Sequence, residues 1–281
     1  MVLSTENIAT SPTRKRSVYS STVPAVEQAC RILLCMGEGN NSRMRLTDIC
    51  KEVEISKSKG HTILNTLAKS GLVEKSPITK TYSLGPALIF LSRRFLDNLN
   101  LTDVVSPIIK GIAQGTNGTA IFGLIREKYL FIIAQQEGNQ NIGFTVRLGY
   151  RFHLTLGAHG KAILAFMTDP EREKLLAGNV YCYGDPASLD MERLRKELEE
   201  CRINGYASDM GEINPGLNAV SAPVFGSNDE VVGCIELFGS FSGNLIEEYG
   251  LKVADAARKV SYKLGTRPNS RKLSNTKRPK E

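Results

Sequence analysis

Tryptophan is absent from the 281 residues, and only three histidines occur, at positions 61, 153 and 159. So few imidazoles leave little material for a histidine-based triad, and neither G-x-S-x-G nor H-E-x-x-H is present. GAHGKA has the look of a phosphate-binding loop, but that motif needs Gly five residues before Gly160 and Ser or Thr after Lys161. Thr155 and Ala162 stand there instead. The six cysteines (Cys30, Cys35, Cys50, Cys182, Cys201, Cys234) form no C-x-x-C pair and no usual zinc spacing, and most read as buried thiols. No run approaches the roughly 18–20 consecutive apolar residues of a membrane span, and the first residues lack the apolar core of a secretion signal. The expectation is a cytoplasmic chain that is not an enzyme, with no membrane partner, cofactor or structural metal.

What is present is an uneven charge. Residues 1–92 hold 12 Lys+Arg against 7 Asp+Glu, residues 93–266 hold 18 against 21, and residues 267–281 hold 6 against 1. Cationic character at the two ends favours a polyanionic partner there and another role for the slightly acidic remainder. An ordinary solvated surface would also give such a charge at the first end. The length favours two domains.

Residues 1–22 are rich in Ser and Thr with no apolar period, and read as a disordered arm. Pro24 fits the first position of a helix with Val26, Ala29, Cys30, Leu33 and Leu34 on one face, ended by Gly37 and Gly39. Thr47 is placed to cap a short helix that turns Ile49, Cys50 and Val53 inward, and Ser56 caps the next. In that second helix Ile63, Leu64 and Leu67 form the apolar stripe, Gly60 permits close packing, and Gly71 supplies the stop. Strand-like runs Leu72–Lys75 and Lys80–Leu84 follow. This order predicts a winged helix-turn-helix over 23–85.

The major groove admits one helix, entered by its N-terminal residues, where free N–H groups and the positive dipole end meet phosphate. Lys57 and Lys59 would add charge there. Ser56, Ser58, His61, Thr62 and Asn65 would offer hydrogen bonds, and Lys75 and Lys80 beside the hairpin tip would grip flanking backbone. The alternative is a winged-helix adaptor for protein contacts, without specific DNA binding.

Pro86 opens a linker helix over 86–101 with Leu88, Leu91 and Phe95 at helical spacing. Over 102–266 the texture is mixed. Helix patterns at Val105–Ile112, Lys161–Met167, Asp190–Asn204 and Leu245–Leu264 alternate with strand patterns in TAIFGLI, YLFIIAQQ, GFTVR, AVSAPVF and VVGCIELF. Strand pairs joined by short turns predict an α+β domain with an antiparallel sheet and helices packed on it. Residues 267–281 read as a basic, unstructured tail.

The segments SKSKGHTILNTLAKSGLVEK, TYSLGP, LGAHGKAILAF, NGYASDMGEINPGLNAVSAPVF and VVGCIELFG resemble, in order, the motifs of the isocitrate lyase regulator (IclR) family of bacterial transcription factors. The resemblance spans about Val23 to Gly265. It implies an N-terminal winged helix, a linker helix and a C-terminal effector-binding domain of GAF-like fold. It also implies homodimers, often paired as homotetramers, that bind an operator in double-stranded DNA under control of a small-molecule effector. Carried over by motif, the effector pocket comprises Ala158, His159, Asp209, Ala219, Glu236 and Phe238. The chain departs from the family at several of these. Asn218-Ala219 stands where an Arg-Cys pair is common, and Glu236 and Phe238 where small Ser residues are common. Thr62 replaces the usual Arg early in the recognition helix, and Lys59 a smaller residue. Two carboxylates facing one cavity would repel a simple acid. They would favour a hydroxyl-rich or amine ligand, or a metal ion held with His159, unless Glu236 points outward.

Overall fold

A computed structural model describes residues 22–37, 43–99, 101–116, 118–138 and 146–266. The expected tail, and the expected arm but for Thr22, lie outside the described residues. The chain divides into two compact units between Phe95 and Leu96.

The first unit contains α1 (Pro24–Gly37), β1 (Met44–Arg45), α2 (Leu46–Glu52), α3 (Lys57–Lys69), β2 (Val73–Lys75) and β3 (Thr81–Leu84), and α4 (Ala87–Leu99) begins in it. Ile32, Ile49, Val53, Leu64, Val73 and Tyr82 form its core. The three strands are antiparallel in the order β1-β3-β2. Thr47 is not a cap. The helix starts at Leu46 straight out of β1, with Arg45 extended at its N-cap position because Arg45 pairs with Thr81 of β3. The Thr47 hydroxyl instead donates to Asp48. The inward face of α1 also differs from the expected one. Ile32 and Met36, one turn apart, are buried, whereas Val26 is 59% and Leu34 47% exposed. This helix carries apolar residues on more than one side, and only one side can meet α2 and α3.

The second unit, in order, contains α5 (Leu101–Thr116), β4 (Thr119–Arg126), β5 (Tyr129–Gln136), β6 (Arg151–His153), α6 (Gly157–Phe166), α7 (Asp169–Leu176), α8 (Met191–Asn204), β7 (Ala207–Met210), β8 (Asn218–Phe225), β9 (Val231–Gly239) and α9 (Ile246–Lys263). Its six-stranded sheet runs β6-β5-β4-β9-β8-β7, every neighbouring pair antiparallel. Strand alternation splits the sheet into two faces. Ala120, Phe122 and Leu124 of β4 pack with Ile235 and Leu237 of β9 beneath α5 and α9. Ile121, Cys234 and Phe238 face the opposite way, toward α6.

Helix α8 obeys its local signals. Asp190 caps it through the N–H groups of Glu192 and Arg193, both at 3.0 Å, and Gly205 ends it at φ +83°. Helix α6 starts at Gly157, four residues before the expected Lys161, because all ten of its residues are buried and no polar face marks its period. Strands β6 and β7 were not expected, being three and four residues long. The GFTVR strand falls largely outside the described residues, and Val146 and Arg147 are not in a strand.

Candidate functional site

Two sites emerge, one in each unit. In the first, Ser56 accepts the Lys59 N–H at 3.4 Å and opens α3, whose first turn holds no acidic residue. Gly60, Ile63, Leu64 and Leu67 are buried on one side. A Cβ on Gly60 would stand 2.3 Å from Cys50 Sγ, so α2 and α3 meet as closely as glycine permits. Turning that side inward leaves Ser56, Lys57, Ser58, Lys59, His61, Thr62 and Asn65 all exposed. The Asn65 amide lies 3.3 Å from His61 Nδ1, and the Thr62 hydroxyl donates to the Ser58 carbonyl at 3.1 Å. Lys75 and Lys80 are exposed on the β2–β3 wing, Lys75 with its ammonium 5.4 Å from the centre of the Tyr82 ring.

In the second unit all six expected pocket residues line one cavity of about 220 Å³. Sheet register explains the assembly. Asp209 of β7 pairs with Ala219 of β8, which pairs with Phe238 of β9, and Glu236 follows two residues away on the same face. Ala158 and His159 enter from the start of α6. Glu236 does not point outward: it is 7% exposed, and its Oε2 lies 3.2 Å from His159 Nδ1. The other ring nitrogen, Nε2, lies 3.2 Å from the His153 carbonyl oxygen and so carries a hydrogen.

Asp209 has two tasks. Its Oδ1 accepts the Glu212 N–H at 2.7 Å, fixing the loop that covers the cavity, and its carboxyl faces the interior. Burial pushes its pKa up to about 6. Lys161 and the N–H groups of Ile213 and Gly211 pull it down, and the Glu236 charge adds to the rise. Among the described residues no group of three or more His, Cys, Asp or Glu side chains is placed to hold a metal ion.

Residues 93–262 match the family described as Bacterial transcriptional regulator IclR C-terminal, and residues 25–77 match the IclR helix-turn-helix domain. The chain belongs to the IclR family. It is 28% identical to the HTH-type transcriptional regulator KdgR of Escherichia coli over 86% of this chain and 93% of that protein. It is 24% identical to the Transcriptional repressor IclR of the same organism, over 90% and 96%. Among solved structures, an IclR transcriptional regulator from Alicyclobacillus acidocaldarius superposes with TM-score 0.76 at 27% identity, over 86% of this chain and 98% of that one. An IclR homologue from Microbacterium hydrocarbonoxydans, complexed with 4-hydroxybenzoate, shares the fold with TM-score 0.70 at 17% identity, over 85% and 98%. The IclR-family chain is thus a transcriptional regulator with a helix-turn-helix DNA-binding domain and a C-terminal effector domain.

In this IclR-family chain the sequence motifs missed the apolar walls of the cavity, Phe152, Leu156, Ile213 and Leu217 among them. Leu156, Ile213 and Leu217 lie outside the strands and helices, where no period marks the inward side. The ion cluster behind Asp209 was missed as well. Lys161 is 1% exposed and its ammonium meets Glu212 Oε2 at 2.6 Å, Glu197 Oε2 at 2.8 Å and the Ser208 carbonyl at 3.1 Å. Arg193 joins both glutamates. Burial alone would raise the Glu197 pKa, but hydrogen bonds from Lys161 and Arg193 hold it below the usual carboxylate value. No helix among the described residues is long and apolar enough to cross a membrane.

Proposed function

We propose that this regulator reads a duplex operator with the first two turns of α3, and that a small molecule in the 220 Å³ cavity changes how tightly it does so. Lys57 and Lys59 meet phosphate, as do the free N–H groups at the start of α3. Ser58, His61, Thr62 and Asn65 face the base edges, and Lys75 and Lys80 hold the flanking backbone. The observation that carries this reading is the division of α3 into a fully buried apolar side and an exposed, acid-free polar side. The effector contacts Ala158, His159, Asp209, Ala219, Glu236 and Phe238. The 4-hydroxybenzoate complex of the Microbacterium homologue is an instance of a small molecule on this fold.

The working unit is a homodimer, paired further into a tetramer, in the cytoplasm. Ile89 and Phe90 of α4 are 72% and 74% exposed, an apolar surface that a second copy would cover. Two such copies present two α3 helices to successive major-groove faces about one helical turn, or a multiple of it, apart. The effector shifts populations only if its affinity differs between two arrangements of that assembly. Footprinting the purified protein on the DNA upstream of its own gene tests the reading. Protection of a discrete, pseudo-palindromic segment, lost steeply with salt, is the expected result. Uniform binding without a footprint would favour the adaptor.

A further inference from the structure

On the reading that this cavity is the effector site, the geometry points to a ligand class: an organic cation, with a protonated amine facing Asp209 and Glu236 and an aromatic or otherwise apolar body against Phe152 and Phe238. The matching carboxylic acid binds more weakly.

No lysine or arginine is among the described residues that line the cavity. Among the described lining residues the one imidazole is that of His159, and it is committed. Nε2 faces a backbone carbonyl and Nδ1 faces Glu236, so both ring nitrogens are already engaged within the protein. Lys161 and Arg193, the cations of the cluster behind Asp209, are matched one for one by Glu197 and Glu212. The start of α6 is the remaining attraction for a carboxylate, through its free N–H groups and dipole. Asp209 Oδ2 lies beside that end, 3.0 Å from where a Cβ on Gly157, the first residue of α6, would stand, and its charge opposes an anion there without bonding the α6 N–H groups.

The acceptors, by contrast, are open. Among the described residues only His159 bonds the Glu236 carboxyl, and it does so through Oε2. The Glu236 side chain is 9% exposed. Glu236 lines the cavity, and no hydrogen bond to its Oε1 is found among the described residues, on a side chain already removed from bulk water. A cation entering beside Asp209 and Oε1 gains hydrogen bonds and charge compensation. An anion entering there requires that Asp209 first take up a proton.

The two classes have opposite pH dependences. The groups facing Asp209 are Glu236 on β9, His159 and Lys161 on α6 and Glu212 on the covering loop, with His153 beyond His159. An amine binds best with Asp209 ionised and weakens as pH falls through about 6, while an acid tightens over the same interval.

Three probes of one shape decide between them: phenethylamine, phenethyl alcohol and hydrocinnamate, titrated calorimetrically into the full-length protein. Phenethylamine should bind about tenfold more tightly than hydrocinnamate at neutral pH, and Glu236→Gln should reduce that ratio severalfold while keeping a hydrogen bond to His159. Asp209→Asn gives a second reading should the first variant misfold. Preference for hydrocinnamate, or for amine with no response to either variant, overturns the inference and leaves the cavity a binding site. If none of the probes binds, the inference is overturned; if Ala219→Phe, which fills the cavity, does not abolish binding, the effector-site reading falls too.

Discussion

The Lys161 ammonium lies 2.6 Å from Glu212 Oε2, joining a fully buried cation on α6 to the loop that closes the cavity. Glu212 also donates its backbone N–H to Asp209, so one residue couples the cavity wall to the ion cluster behind it. Removing the cation leaves Glu197 and Glu212, partly shielded from water, with Arg193 as the one cation of the cluster they share. Lys161→Met should therefore destabilise the C-terminal unit by roughly 3 kcal/mol, the lower end for breaking a buried pair, since both glutamates retain some exposure. Urea denaturation of the variant checks this. An unchanged midpoint would mean that the cluster is energetically idle.

The α2–α3 contact admits no side chain at Gly60. Gly60→Ala places a methyl 2.3 Å from Cys50 Sγ and should cost about 1–3 kcal/mol. Cys50→Ala in the same chain should restore much of it, because the clash is with that sulfur. A thermal double-mutant cycle measures the coupling, and additivity would mean that the helices part without cost.

Lys57→Ala and Lys59→Ala should each weaken operator binding and lower the slope of log affinity against log salt by about 1, the signature of one lost phosphate contact. Binding of any cavity ligand should be unaffected. Loss of both activities would contradict the assignment of one task to each unit.

Asp209 makes stability depend on pH in an unusual direction. Its folded pKa, about 6, is above the unfolded value, so between about 4 and 6 the folded state binds the extra proton and stability falls as pH rises. Over the full interval the loss is at most about 3 kcal/mol. Asp209→Asn, which keeps an acceptor for the Glu212 N–H, should remove this decline. The difference between the two stability profiles isolates it from Glu197, whose depressed pKa acts in the opposite sense.

Phe90→Glu should lower the sedimenting mass toward that of a single chain and weaken operator binding, while each unit keeps its own fold. A variant that still assembles would place the interface away from α4.

The amino-acid order alone determined the winged helix-turn-helix, the limits of α8 and α9 to within one residue, and which side of α3 is polar. Caps, stops and a 3.6-residue period are local, and they are strongest where a helix has one wet and one dry face. The motifs also brought Ala158, His159, Asp209, Ala219, Glu236 and Phe238 to one cavity. Tertiary structure alone decided the rest. It set the start of α6, whose burial on every side erases its period, and the inward face of α1, which carries apolar residues on two sides. It made Arg45 a strand residue through its pairing with Thr81. It also turned Glu236 inward onto His159, a partner 77 positions away. Whether a carboxylate is exposed, neutralised or left open to a ligand depends on groups that only folding brings near, and no local pattern encodes them.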